Sequence, residues 1–460
     1  MYHKDTISAI STPVATGAIG IIRISGPDTL KIISRIFVSN KFNFNSPVSH
    51  HLYYGTIIDS DDRSDIDSVL VAYMKNPNSY TGEDIIEINC HSGLVVLNKI
   101  LSLTLKCGAR LAEPGEFTKR AFLNGKIDLT QAESIIDIID SKTEASLKIA
   151  AKHYQGLLSD KLRAVKSTLI DIKSILETTI DFPEDENEIM SRDDLLIKYE
   201  KISNSIKALI STYNEASIYK SGIKTAIIGK PNVGKSSLLN SILDDNRAIV
   251  TSVPGTTRDT INETINIKGI PVNIIDTAGI GSTSDEIEKI GIDKTLATIE
   301  ASDIILLVFD GSNELDLLDQ NIIKGLPDKK IIAVINKSDL PQTINPDVIK
   351  SINGLINIVS VSALFNQGIE NLKTEIHKNI ITTDFDISND ILISNMRHKT
   401  LLEKTLGSLE LVKEALNNSV SPELIAVDLQ AALNSLGEIT GETTSEDILN
   451  NIFSRFCIGK

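Results

Sequence analysis

The chain reads as a multidomain protein of α/β and α type: an N-terminal α+β segment, a helical segment in two pieces, and a doubly wound α/β domain inserted between them. Three observations predict this. From Ile223 to about Lys378, short apolar strand-like runs alternate with helical patterns. On both sides, from Pro114 to about Tyr219 and again beyond Asp384, apolar residues recur at three- and four-residue spacing. Ahead of these, residues 1 to about 118 mix strand-like runs with helices.

Taken in order, "VLVAYM" (Val69–Met74) and "IIEINC" (Ile85–Cys90) read as strands, and Leu94–Lys106 as a helix. In the second strand Ile85, Glu87 and Asn89 fall on the more polar side, with Ile86, Ile88 and Cys90 opposite. "FTKRAFL" and "LTQAESIIDIIDSKTEASLKIAAKHY" open a helical stretch reaching Ile180. The acidic run "DFPEDENE" (Asp181–Glu188) interrupts it as a solvated loop, with a functional surface as the alternative. Pro422 after Ser421 marks a later helix start. The expected boundaries are 1–118 for the N-terminal domain, 119–219 for the first helical piece, 220–380 for the α/β domain and 381–460 for the second helical piece. The two helical pieces are expected to pack together, with the α/β domain looped out.

Composition narrows the class. Of 460 residues, 41% are hydrophobic and 23% charged, an ordinary soluble balance. No run of about 18 apolar residues appears, so no membrane span is expected. The N-terminal stretch lacks a basic region followed by an apolar one, so no signal peptide is read. Three cysteines, Cys90, Cys107 and Cys457, make a sparse set that suits a reducing cytoplasm, and Cys90-His91 has no companion pair at metal-ligand spacing. A net charge of −15 argues against a main business of gripping phosphate backbones, so contact with nucleic acid is small or shared with a partner.

The chemistry is concentrated in four motifs. "GKPNVGKS" (Gly229–Ser236) fits the phosphate-binding loop, between a strand "IKTAIIG" and a helix "SLLNSIL". Backbone N–H groups of Asn232, Val233, Gly234, Lys235, Ser236 and Ser237 would face phosphate oxygens, with the helix dipole adding to the field. Lys235 would reach the outer phosphates and Ser236 would hold Mg²⁺. "VNIIDTAG" ends in Asp276, Thr277, Ala278 and Gly279, a carboxylate for the Mg²⁺ shell and an N–H for the γ-phosphate. "NKSD" supplies Asn336, Lys337 and Asp339, whose carboxylate can accept the two N–H bonds guanine offers and adenine does not. Ser362 and Ala363 follow at the next strand end, where backbone N–H groups can read the guanine oxygen. Four motifs in this order, each at a strand's carboxyl end, resemble the translation-factor-related GTPases and specify GTP.

Two features are less ordinary. Ile280 follows Gly279 where Ras-type enzymes keep a water-orienting glutamine, leaving Asp285, Glu286 and Glu288 as candidates against a plain solvated helix face. Asn232 together with the loop Thr251, Ser252, Val253, Pro254, Gly255, Thr256, Thr257 offers hard oxygens for a monovalent cation that can stand in for an arginine finger. Arg258 is the rival finger.

The flanks add "TISAISTPVATGAIGIIRISGP", "YTGEDIIEINCHSG", "EPGEFTKRAFLNGKIDLTQAE", "IDFPEDE" and "FCIGK". With the G motifs these resemble the MnmE (TrmE) family of tRNA-modification GTPases over essentially the whole chain. The resemblance implies an N-terminal tetrahydrofolate-binding and dimerisation domain, a discontinuous helical domain and an inserted Ras-like G domain. It implies a cytoplasmic homodimer that works with the FAD-dependent MnmG protein as a heterotetramer. The implied reaction adds an aminomethyl or carboxymethylaminomethyl group at carbon 5 of the tRNA wobble uridine, using the one-carbon unit of a methylene- or formyl-tetrahydrofolate. It also implies K⁺ at Asn232, Thr251, Val253 and Thr256, Mg²⁺ at Ser236 and Thr257, and Glu288 as the water-orienting residue. Folate would fall to Arg23, Glu87, Lys126 and Lys460. For Cys457 a nucleophile, a structural thiol and a folate-side contact all stay open.

A ribosome-assembly or translation-type regulatory GTPase is the alternative reading, and a nucleotide-controlled scaffold a further one. The first requires a basic RNA-binding module that this sequence does not offer. "FCIGK" superficially fits a prenylation box, but Gly459 and Lys460 match it poorly and no polybasic stretch precedes it.

Overall fold

A computed structural model describes residues 5–15, 17–181, 192–244, 262–276, 298–325, 329–352, 357–381, 390–418 and 420–460. The chain divides into two compact units: the described residues of 1–136, 153–189 and 417–460 make the first, those of 137–152 and 190–416 the second. The helices flanking the α/β stretch are shared out. Leu157–Asp181 and Pro422–Thr440 go with the first unit, Arg192–Ser211 and all but the last residue of Met396–Asn417 with the second.

In the first unit seven strands form one sheet: β1 (Ile7–Ile10), β2 (Ile19–Ser25), β3 (Phe37–Val38), β4 (His51–Ile58), β5 (Asp65–Met74), β6 (Ile85–His91) and β7 (Arg110–Leu111). Their order is β3-β4-β5-β6-β2-β1-β7, and among neighbours only β1 and β7 run parallel. The alternation in β6 sorts its side chains between two environments. Ile86, Ile88 and Cys90 enter a core with Ile22, Ile24 and Val71 and with Ile32, Ile33, Leu97 and Ile100 from the helices Thr29–Ile36 and Leu94–Lys106. Glu87 and Asn89 are half-buried on the other face. That face is itself divided. At β1, Ile7 and Ala9 are covered by Ala112 and Phe117. At β4 and β5, Leu52, Tyr54 and Leu70 stand exposed, as does Ile19 at the start of β2.

The helices of this unit close on each other across the long insertion. Lys173 Nζ donates to Gln430 Oε1 at 2.7 Å, and Lys166 pairs with Glu442, so Leu157–Asp181 lies beside Pro422–Thr440. Pro422 is the first helical residue after the N-cap Ser421, where its missing N–H costs nothing. Leu129, Ala132, Leu449, Ile452, Phe453 and Phe456 form a second apolar cluster that fastens the helix Glu446–Phe453 and the segment after it.

In the second unit six strands make the sheet: β8 (Ile223–Ile228), β9 (Asn262–Ile267), β10 (Ile270–Asp276), β11 (Ile304–Asp310), β12 (Lys330–Asn336) and β13 (Asn357–Ser360). The order is β13-β12-β11-β8-β10-β9, parallel throughout except for β9 against β10. Runs such as "IILLVFD" are apolar at nearly every position because both faces are covered. Leu306, Val308, Ile332 and Val334 pack with Leu238, Ile242, Leu372 and Ile376, while Ile305, Leu307, Ile331 and Ile335 meet Ile323 and Ile349 on the opposite side. Consecutive carboxyl ends of the parallel strands then face one edge of the sheet, where open α/β folds bind ligands. Among the described residues no helix is long and apolar enough to cross a membrane.

Candidate functional site

The edge of the second sheet gathers the described parts of the G motifs. Between β8 and the helix Lys235–Asp244 the chain turns through Asn232, at a left-handed φ of 65°, and Gly234, at 94°. A Cβ on Gly234 would fall 2.2 Å from Asn336 Nδ2, so both backbone angle and space require glycine. Lys235 Nζ donates to the carbonyls of Gly229 (2.7 Å) and Lys230 (2.8 Å), which keeps the ammonium inside the loop. Ser236 and Ser237 are exposed on the first turn of the helix.

Buried Asn336 joins the elements of the pocket. Its Nδ2 donates to the Val233 carbonyl at 2.9 Å and its Oδ1 accepts the Ala363 N–H at 3.1 Å, tying the phosphate loop to the turn after β13. Asp339 Oδ1 accepts the Ser362 hydroxyl at 2.5 Å, which helps to orient the carboxylate. Lys337 has a left-handed φ of 60°, and its Nζ meets Asp310 Oδ2 at 2.6 Å. Burial alone would raise the Asp310 carboxyl; Lys337 and the hydroxyl and N–H of Ser312 overcome it and hold the group below its ordinary value. Lys230 is pinned by Asp316 (2.6 Å) and Asp319 (2.7 Å). The donor set suits a nucleotide: backbone N–H groups and an ammonium for phosphate, an acceptor carboxylate for an N–H edge.

The structure thus brings together Asn232, Val233, Gly234, Lys235, Ser236, Ser237, Asn336, Lys337, Asp339, Ser362 and Ala363. Asp276 ends β10 in register with Ile227, at the strand end the sequence assigns it. Thr251, Ser252, Val253, Pro254, Gly255, Thr256, Thr257, Arg258, Thr277, Ala278, Gly279, Ile280, Asp285, Glu286 and Glu288 lie outside the described residues. Of the residues that the sequence suggests for cations, Asn232 and Ser236 fall among the described residues.

A second polar site lies on the sheet of the first unit. Arg23 on β2 is the cross-strand neighbour of Glu87 on β6, and its Nε and Nη2 reach Glu87 Oε1 at 2.9 and 2.8 Å. The guanidinium stands 5.5 Å from the ring centroid of Tyr80 and 5.6 Å from that of Phe117. Its Nη1 donates to the Gly459 carbonyl at 3.3 Å, and the Ser11 hydroxyl donates to the same oxygen at 3.0 Å. The terminal segment is not frayed. Gly115 N–H donates to the Cys457 carbonyl (3.4 Å), Ile458 bridges Pro114, and Phe117 N–H donates to the main-chain oxygen of Lys460 (3.2 Å). The Cys457 side chain is exposed and the Lys460 residue half-buried. Lys126 Nζ donates to the Pro77 carbonyl at 3.0 Å; among the described residues no hydrogen bond or ion pair joins it to Arg23 or Glu87.

Sequence reasoning missed Asp310, Tyr80, Phe117 and Gly459 as neighbours of these sites. Tyr80, Phe117 and Gly459 stand within the flank motifs, the only signal they carry.

Two family models match the chain: "MnmE helical domain" over residues 129–457 and "GTP-binding protein TrmE N-terminus" over 6–126. The chain is similar to the "tRNA modification GTPase MnmE" of Carboxydothermus hydrogenoformans, 46% identical over 459 residues, covering 99% of this chain and 100% of the relative. It is also similar to the protein of that name from Thermoanaerobacter pseudethanolicus, 48% identical over 457 residues and 99% of each chain. Among solved structures, Aquifex aeolicus Era bound to GDP·AlF4− matches at a TM-score of 0.29 and 25% identity, covering 41% of this chain and 67% of that one.

Proposed function

Because the chain belongs to the MnmE (TrmE) family, we propose that it is a GTP-hydrolysing enzyme of tRNA modification, acting at carbon 5 of the wobble uridine. The observation that carries the GTPase reading is Asn336, one buried side chain that welds phosphate loop and base-reading turn into a single pocket. Asp339 reads the guanine edge, with Ser362 holding its carboxylate, and Lys235 leaves the loop carbonyls for the outer phosphates. Glu288 orients the attacking water. K⁺ at Asn232, Thr251, Val253 and Thr256 and Mg²⁺ at Ser236 and Thr257 supply positive charge against the phosphates.

The Arg23–Glu87 site takes the folate. A tetrahydrofolate bound there supplies the one-carbon unit. Glu87 offers a carboxylate to the paired N–H donors of a pterin, and Lys126 and Lys460 offer charge to an anionic tail. Cys457 is held at this site by its main chain, with its thiol in solvent. Leu52, Tyr54 and Leu70 lie on the same sheet face, Leu52 and Glu87 both being in register with Ala72. A second copy covering that bare half would stand directly beside Glu87, which supports a homodimer with folate at its margin. The 1–118, 119–219, 220–380 and 381–460 division, the cytoplasmic setting and the FAD-dependent partner complete the reading.

The test is mass analysis of wobble nucleosides from cells lacking the chain. Uridine should stay unmodified, wild type should restore it, and a variant lacking Cys457–Lys460 should not, although it still hydrolyses GTP. Normal modification without the chain would sink the reading.

A further inference from the structure

Arg120 is 1% exposed, yet it carries a full charge and lies in the helix Glu116–Leu123. Its Nη2 meets Asp5 Oδ1 at 2.6 Å; its Nη1 meets the Asp5 carbonyl at 2.8 Å and Glu83 Oε2 at 2.9 Å. Burying a guanidinium is expensive unless every partner is in place, so such a group fixes whatever it binds. What it binds is the loop that carries Tyr80. Ser25 Oγ, two residues beyond Arg23 on β2, donates to Glu83 Oε2 at 2.8 Å and lies 2.8 Å from Thr81 Oγ1. From Arg120's own helix, the Thr118 hydroxyl is 2.8 Å from the Tyr80 hydroxyl, and Phe117 is the other ring against Arg23. Asn124 Nδ2, just past that helix, holds the Thr81 carbonyl at 2.7 Å.

We infer that Arg120 is a positioning residue for the Arg23–Glu87 pair: it locks residues 79–83 against the helix so that Tyr80 and Phe117 hold Arg23 in place before a ligand arrives. The inference rests on the folate reading for its consequence, not for its geometry. A single guanidinium reaches both sides of the site, the ring-bearing loop through Glu83 and the ring-bearing helix through its own backbone. Ser25 transmits the same constraint along β2 to Arg23.

The experiment uses the full-length protein with 5-formyltetrahydrofolate as probe, and two variants. Arg120→Lys keeps the charge and loses the fork, while Ser25→Ala is the milder change should the first fold poorly. Each should weaken folate binding about tenfold, a coupling typical of residues sharing one network. Each should also speed amide exchange over residues 456–460, because Arg23 helps hold the Gly459 carbonyl. Both effects should vanish in an Arg23→Ala background. Effects that persist there at full size, or unchanged exchange in the single variants, would overturn the inference. Folate binding by wild type that Glu87→Gln leaves unaltered would instead reject the folate reading, and the exchange arm would still decide the role of Arg120.

Discussion

Replacing Gly459 by alanine tests how the terminal segment is held. Gly459 has φ 94°, and a Cβ there would lie 2.3 Å from the Ile10 carbonyl and 2.9 Å from Ser11 Cα. The left-handed angle costs a residue with a side chain about 1–2 kcal/mol. The overlap adds about 1–3 kcal/mol, since its target is backbone at the end of β1, whose Ile10 is paired to Ile22. Holding the segment down are the two bonds to the Gly459 carbonyl and the bonds of Gly115 and Phe117 N–H to residues 457 and 460. At about 0.5–1.5 kcal/mol net each, they provide roughly 2–6 kcal/mol. The perturbation matches the restraint, so Gly459→Ala should open the segment more than about tenfold as often. Hydrogen exchange followed by mass spectrometry should show residues 457–460 losing protection. The melting temperature should barely move, because Phe456 stays in its apolar cluster. Wild-type exchange at these residues would refute the argument.

Three other outcomes are expected. Gly234→Ala should lower affinity for a fluorescent GDP by about a hundredfold or more, as the new methyl displaces Asn336 from both its bonds; near-normal titration would contradict the pocket. Glu288→Ala should cut GTP turnover by about 10²-fold or more with nucleotide affinity kept, and Na⁺ in place of K⁺ should remove stimulation; normal turnover or equal rates in both salts would reject those assignments. Iodoacetamide at about pH 8 should label Cys457 alone. Burial, with the Asp67 charge adding to it, pushes the Cys90 thiol up to about 11, and burial also raises Cys107, so neither presents thiolate. Mass spectrometry finding Cys90 modified as fast as Cys457 would disprove this.

The nucleotide site is readable in the sequence because its residues sit within short motifs at strand ends, where local spacing is already geometry. Asn232, Lys235, Asn336 and Asp339 need only the strand–turn–helix pattern around them to be placed. Glu87 is half-readable, since alternation gives the face of a strand but not its neighbour across the sheet. Arg23 becomes its partner only through the β2–β6 register. Arg120 is unreadable. In "FTKRAFL" a buried arginine and a solvated one leave the same pattern, and its partners Asp5 and Glu83 are 115 and 37 residues away. The docking of Gly459 is hidden for the same reason, its contact with Arg23 spanning 436 positions.

That span bears on how the protein comes to be folded. Closing so long a loop in an unstructured chain is entropically costly, though the cost grows only as the logarithm of length. The second unit shortens the path. Its helices Arg192–Ser211 and Met396–Asn417 are clasped by Lys413, which pairs with Glu200 at 2.5 Å, so the chain leaves this unit beside where it entered. That pair brings together residues 213 positions apart. The sheet carrying Arg23 is made early on the ribosome, yet it waits for residue 459 to complete its site. A nascent chain stalled inside the second unit therefore carries Arg23 and Glu87 but not yet the Gly459 carbonyl that Arg23 Nη1 reaches.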